Sequence, residues 1–289
     1  MQQTSIDSVN HVGIAVRDLA EATRIFEAMG FQLTPYSPHS GAFKPGEPVR
    51  PLDSGNRCLM FGSTYLEILA SERADKPAAR IEAFLARHQG AHIVCFNAAS
   101  LAGIDERFAR VGLKTSGVIP LQREIDTPDG VRTAKFERVQ FAPEDSPEGY
   151  VQVARHLTPQ YIYQPRYAAH PNGCDGLVDT IVVADDLAHF VQKYAHYLDA
   201  QAVLDDGAWR FDFPLIGRLT LIAARDARRR LPGTLMPPIP CVAAVSFRVP
   251  DLAAQRARLV AAGFTVREAG VRLLVPAEEA AGLIVLFES

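Results

Sequence analysis

The sequence predicts an α+β chain built from four βαβββ modules, paired into two curled mixed-sheet half-barrel domains. Three observations predict it. Four segments of the chain align on one another. Each opens on a short β-rich apolar run and enters a helix at an Asp-Leu or Ser-Leu pair, and each is followed by further β-rich sequence.

The first copy reads His11-Val-Gly-Ile-Ala-Val-Arg-Asp18-Leu19 and runs on to Gly30-Phe31. The second reads Ile93-Val-Cys-Phe-Asn-Ala-Ala-Ser100-Leu101 and runs on to Gly112-Leu113. The third reads Asp179-Thr-Ile-Val-Val-Ala-Asp-Asp186-Leu187, running to Leu198, and the fourth Ala244-Val-Ser-Phe-Arg-Val-Pro-Asp251-Leu252, running to Gly263-Phe264. Asp and Ser cap helices because their side-chain oxygens accept free N–H groups of the first turn. Leu19 and Phe26, Leu101 and Phe108, Leu187 and Tyr194, and Leu252 and Leu259 recur two turns apart on one helix face. Gly30, Gly112 and Gly263 fall where a helix end favours a left-handed residue, and the third copy lacks this glycine.

The strands that follow are predicted in order. Arg57–Phe61 turns through Gly-Ser-Thr into Tyr65–Leu69, and Phe136–Phe141 leads into Tyr150–Val153. Arg210–Phe213 and Leu219–Ala223 serve the third module, and Val271–Val275 and Leu283–Phe287 the fourth. One module leaves a sheet face uncovered, so two must curl together. The Pro- and Tyr-rich stretch Leu157 to Gly173 separates the pairs. The expected domains are residues 1–160, a linker at 161–174, and residues 175–289.

Composition excludes several classes. At 48% hydrophobic and 22% charged residues the chain is ordinary globular protein, and a net charge of -3 without a basic stripe argues against nucleic acid. Arg225, Arg228, Arg229 and Arg230 read as a solvated loop. No apolar run reaches bilayer length, and the polar start, Met1 to Asn10, has no signal core. Cys58, Cys95, Cys174 and Cys241 form no CxxC motif. The expectation is a cytoplasmic protein with reduced, buried thiols, no membrane or nucleic-acid partner, a small-molecule substrate, and a homodimeric state by default.

This arrangement resembles the vicinal-oxygen-chelate superfamily of glyoxalases, bleomycin-resistance proteins and extradiol dioxygenases, in its glyoxalase-like branch. The residues nearest to the pattern are the His11–Leu19 opening and Tyr65-Leu-Glu67; His156-Leu-Thr-Pro159 with His170-Pro-Asn-Gly173 is similar to a linker of that branch. The resemblance implies a cup with a divalent metal (Zn, Mn, Fe, Ni or Co) held by ends of the first and last strands of each module. On this chain the implied ligands are His11, Glu67, a residue at the start of the second module, and Gln152, which aligns with Glu67 through Tyr150-Val-Gln. Counting from Ser100 puts Ile93 opposite His11, whereas a one-residue bulge brings in His92. Both alternatives stay open. In the second half the equivalents are Asp179, Ala244 and Val285, which cannot form such a centre, so that half reads as a structural or dimerising partner.

A metal here would act as a Lewis acid on two neighbouring substrate oxygens. Glyoxalase I proper is disfavoured, since Gln152 cannot serve as the base; His39, His156 or Glu148 is the alternative source. Glu67, His156 and Arg123 are the candidate catalytic residues, Arg123 as a clamp for an anionic substrate. Each has a plainer reading: His11 a hydrogen-bonded structural histidine, Glu67 a solvent-facing carboxylate, His92 a loop residue, Arg123 a surface ion pair. Asn56 and Arg57 face the cup or a turn, His156 and His170 pin the linker, and Trp209 packs in the second half. Two functions follow: a metal-dependent lyase, isomerase or dioxygenase, resting on His11 and Glu67, or a metal-free binding protein, resting on Ile93 and Gln152.

Overall fold

A computed structural model describes residues 6–41, 47–73, 75, 77–101 and 103–289. The first five residues of the polar N-terminal stretch lie outside it. The chain begins with β1 (Ile6–Ala15), α1 (Leu19–Ala28), β2 (Ser37–Gly41), β3 (Arg50–Phe61), β4 (Thr64–Ser71), α2 (Ala79–Arg87), β5 (Gly90–Ala98), α3 (Ile104–Arg110), β6 (Thr115–Thr127), β7 (Gly130–Phe141) and β8 (Tyr150–His156). It continues through α4 (Pro159–Ile162), β9 (Gly176–Ala184), α5 (Leu187–Leu198), β10 (Val203–Asp205), β11 (Ala208–Asp212), β12 (Arg218–Ala223) and α6 (Ala224–Arg230). The last elements are β13 (Cys241–Arg248), α7 (Leu252–Ala261), β14 (Arg267–Ala269), β15 (Arg272–Val275) and β16 (Ile284–Glu288).

The fourfold repeat is visible in the pairing. The first strand of each module lies parallel to its last: β1 with β4, β5 with β8, β9 with β12, and β13 with β16. Modules pair through their first strands, antiparallel, as β1 with β5 and β9 with β13. Asp18, Asp186 and Asp251 cap α1, α5 and α7 by accepting backbone N–H groups. Ser100 does not open a regular helix; α3 begins later, behind Gly103 at φ 78°. In the third module Asp199 takes the left-handed place of the missing glycine, at φ 52° and ψ 45°, a conformation that Asp tolerates better than most residues.

The expected mixed-sheet fold is present, as one closed barrel and one curled half-barrel. The first closes, in the order β1-β4-β3-β2-β6-β7-β8-β5, because Ser40 and Gly41 of β2 pair with Gln122 and Leu121 of β6. Neither β2 nor the full length of β6 carried a legible strand signal. The second sheet stays open in the order β10-β11-β12-β9-β13-β16-β15-β14. Its edge strands, β10 and β14, have three residues each, short enough to limit pairing with another chain. The arginine run at 225–230 is a correction: it belongs to helix α6 and not to a loop.

One hydrophobic core runs through both sheets. Phe31 and Phe61 of the barrel meet Phe247 of the second sheet at ring-centre distances of 4.8 and 5.4 Å. His170 fastens the intervening segment: Gln32 N–H donates to its Nδ1 at 3.0 Å, so its Nε2–H donates to Met60 O, also at 3.0 Å. Glu148 is fully buried and joins barrel to second sheet, with Lys193 Nζ at 2.6 Å and Tyr194 OH at 2.7 Å. It is therefore remote from the cup as a proton acceptor. The four cysteines are buried and free, and Trp209 packs against the core. Among the described residues no helix is long and apolar enough to cross a membrane.

Candidate functional site

Strand register places the site. On the parallel pair β1/β4, His11 lies opposite Tyr65, and Glu67 follows Tyr65 by one two-residue period, on the same face. On the parallel pair β5/β8, Ile93 lies opposite Tyr150, and Gln152 follows in the same way. The two modules thus match His11 with Ile93 and Glu67 with Gln152. All four residues line one cavity inside the barrel.

The register also decides between Ile93 and His92. Gly13 pairs with Ile93 but Ile14 pairs with Ala91, so β5 carries a one-residue bulge at His92. The bulge does not bring His92 into the cup. Its ring stacks on Phe84 at 4.7 Å and its Nε2 lies 2.8 Å from His88 O, against α2. Burial lowers its pKa to about 4. Ile93 keeps the inward position, and His92 is corrected to a packing residue.

At the floor of the cup, Glu67 lies among two histidines and an amide. Its Oε2 lies 3.8 Å from His11 Nε2 and its Oε1 lies 3.4 Å from His39 Nε2, while Asn56 Nδ2 donates to Oε1. Asn10 sets the state of His11. Its amide nitrogen donates to Asn97 Oδ1 and Tyr163 OH, so its Oδ1, 2.7 Å from His11 Nδ1, accepts the His11 proton. That assignment leaves a lone pair on Nε2, directed at Glu67. Burial pulls His11 down to a pKa of about 4, against the attraction of Glu67. For Glu67, burial alone would raise the pKa. The His39 hydrogen bond outweighs it, together with the charge of Arg123 and, when they are protonated, of His11 and His39, and the carboxyl is held well below its usual range. The floor is an ionised carboxylate beside a neutral imidazole.

The walls are basic and aromatic. Arg138 on β7 donates to Gln152 Oε1 at 3.3 Å, and its guanidinium lies 5.5 Å from the Tyr150 ring centre. Arg80 on α2 lies over the same ring at 5.6 Å. Arg123 on β6 lies 5.5 Å from the Phe136 ring centre. All three arginines line the cup, and among the described residues none lies within ion-pair distance of a carboxylate. His156, at the end of β8, packs among Tyr65, Phe136 and Tyr163, with its Nδ1 buried and unpartnered.

Of the residues the sequence singled out, the structure brings together His11, Glu67, Gln152, Arg123 and His156, and leaves out His92. The sequence reading did not single out Arg138, Arg80 or Asn10, and it named His39 only as an alternative base. Arg138 shares strand parity with Phe136, and that alternation was the available signal. His39 had none, since it reaches Glu67 through the closing strand β2.

The resemblance implies a divalent metal, and the donor set can be tested for one. His11 Nε2 and the Glu67 carboxylate are in the protonation states that a metal requires. Ile93 offers no donor, and Gln152 Oε1 already accepts from Arg138. Three guanidinium groups in the same cavity oppose a further cation. Among the described residues no three His, Cys, Asp or Glu side chains are arranged to hold a metal ion. The residues do not fit the four-ligand centre. In the second sheet the matching position, Asp179, is filled by an ion-pair network: Arg218 Nε at 3.0 Å, Arg272 Nη1 at 3.4 Å, and Thr220 Oγ1 at 2.8 Å.

Residues 9–198 match the profile of the glyoxalase-like domain family. No curated protein matches the chain. Among solved structures, a hypothetical protein from Staphylococcus aureus is similar over 97% of this chain and 98% of its own, at 11% identity and a TM-score of 0.63. A mutant of 4-hydroxymandelate synthase from Streptomyces coelicolor is similar over 98% and 92%, at 14% identity and a TM-score of 0.61. The Mn(II)-bound glyoxalase from Novosphingobium aromaticivorans is similar over 99% and 82%, at 13% identity and a TM-score of 0.56. At these identities the likeness is one of fold.

Proposed function

The chain belongs to the glyoxalase-like domain family, and from that premise we propose that the barrel cup binds a small oxygenated molecule through its own arginine, histidine and carboxylate side chains, without a chelated metal. The observation that supports this most directly is the register that sets Ile93 in the place of the missing ligand. In this reading His11 Nε2 and Glu67 accept hydrogen bonds from ligand hydroxyls, and Arg123 and Arg138 donate to ligand oxygens. The closed barrel excludes bulk water from the floor, where His11 and Glu67 are 6% and 8% exposed.

A second reading has its own observation. His11 and Glu67 hold the charge states of metal donors, and a Mn(II)-bound glyoxalase has a similar fold. It gives a metal-dependent lyase, isomerase or dioxygenase acting on a small oxygenated substrate in the same cup. Metal content separates the two. Protein purified without chelator from metal-supplemented cells is assayed beside His11→Ala and Glu67→Ala. Trace metal in all three, with no change in thermal midpoint on adding chelator, is the expected result. One metal per chain, lost in both variants, overturns the metal-free reading and establishes the second.

A further inference from the structure

We infer that the ligand of the cup is a small organic acid, seated with its carboxylate between Arg123 and Arg138 and its apolar body against the aromatic wall. The inference rests on the reading of the cup as a small-molecule site.

The charges in the cup do not balance. Arg80, Arg123 and Arg138 are permanently cationic, whereas Glu67 is the lone carboxylate among the described lining residues. Glu67 is already engaged by Asn56 and His39, and it makes no ion pair with any of the arginines. Half-buried cations without a nearby counter-charge favour a ligand that supplies one.

Two of the arginine donors are also unused. Arg123 Nε and Arg138 Nε are both buried without a hydrogen-bond partner. The two arginines come from the adjacent antiparallel strands β6 and β7 and line one cavity. A guanidinium edge presents parallel N–H groups that match the two oxygens of a carboxylate. One part of the cavity wall is apolar or aromatic: Leu52, Tyr65, Ile93, Leu121 and Phe136. A free inorganic anion would leave that wall without a partner, whereas an acid with an apolar body covers both.

Phenylacetate and its neutral isostere phenylacetamide test the inference, since they differ in the charge of one group. Binding to the full-length protein is read by calorimetry, with saturation-transfer NMR for weak complexes. Phenylacetate is expected to bind saturably and to weaken as salt is raised. Phenylacetamide is expected to bind roughly tenfold or more weakly. Arg123→Gln and Arg138→Gln are each expected to weaken phenylacetate by about tenfold and to leave phenylacetamide unchanged. Arg110→Gln, on the exposed face of α3, is expected to change neither. Circular dichroism confirms that each variant is folded. Should the two ligands bind equally, or both arginine variants keep full phenylacetate affinity, the acid is not the ligand class, yet the cup remains a binding site. Should neither ligand bind the wild type, both the inference and the underlying reading of the cup fall.

Discussion

Replacing His156 with Phe removes a histidine that the fold holds uncharged. The ring lies 5.4 Å from both Phe136 and Tyr163, and its Nδ1 has no partner. Burial, and then the charges of His11 and Arg123, lower its pKa from 6.5 to about 3. The unfolded chain therefore binds a proton that the folded chain refuses. This stability is fully present above the unfolded value of 6.5 and is lost as pH falls toward the folded value. Between about pH 8 and about pH 5, one such group removes about 2 kcal/mol, at 1.36 kcal/mol per unit. His11 and His92, each lowered to about 4, add similar amounts to the acid loss of the wild type. His156→Phe fits the aromatic wall and should lose about 2 kcal/mol less than the wild type over the same window. Urea unfolding of both proteins at the two pH values, followed by circular dichroism, measures the difference. Equal acid losses would show that His156 titrates normally in the folded protein and would refute the account of its burial.

Other outcomes follow from particular contacts. Glu148→Ala strands Lys193 in the interface between barrel and second sheet and should cost about 3–5 kcal/mol in equilibrium unfolding, whereas a loss below about 1 kcal/mol would show the pair to be solvated. Gly282 has φ 84°, and a Cβ there would lie 2.1 Å from Gln89 O. Gly282→Ala should therefore cost roughly 3 kcal/mol or more, while Gly263→Ala, at φ 88° with open space around it, should cost only the conformational strain of about 1 kcal/mol. Ile93→His combined with Gln152→Glu restores donors at both weakened positions, so elemental analysis should find more bound Mn or Zn than in the wild type; no gain would mean that the cup arginines, and not the missing donors, keep metal out.

The alternative between Ile93 and His92 shows where local reading stops. A bulge was foreseeable in β5 and is present there, yet which residue it turns outward depends on pairing with β1, some eighty residues earlier in the chain. His39 shows the same limit. Its segment has no regular alternation, and it reaches Glu67 because β2 closes the barrel against β6. Arg123 and Arg138 were each visible as polar residues, but that both line one cavity is a property of the closed barrel.

The modules can be read from the chain alone: four apolar runs, three aspartate caps and the Tyr-x-Glu and Tyr-x-Gln strands, and with them His11, Glu67 and Gln152. Those signals are local, because a cap acts within one helical turn and strand alternation within a few residues. Closure of the first sheet, a core spanning both sheets, and three arginines sharing a cup with one carboxylate emerge in the folded chain. Such features arise between segments far apart in sequence. Their energies come from burial and charge in a shared cavity, quantities that exist only once the strands are in register.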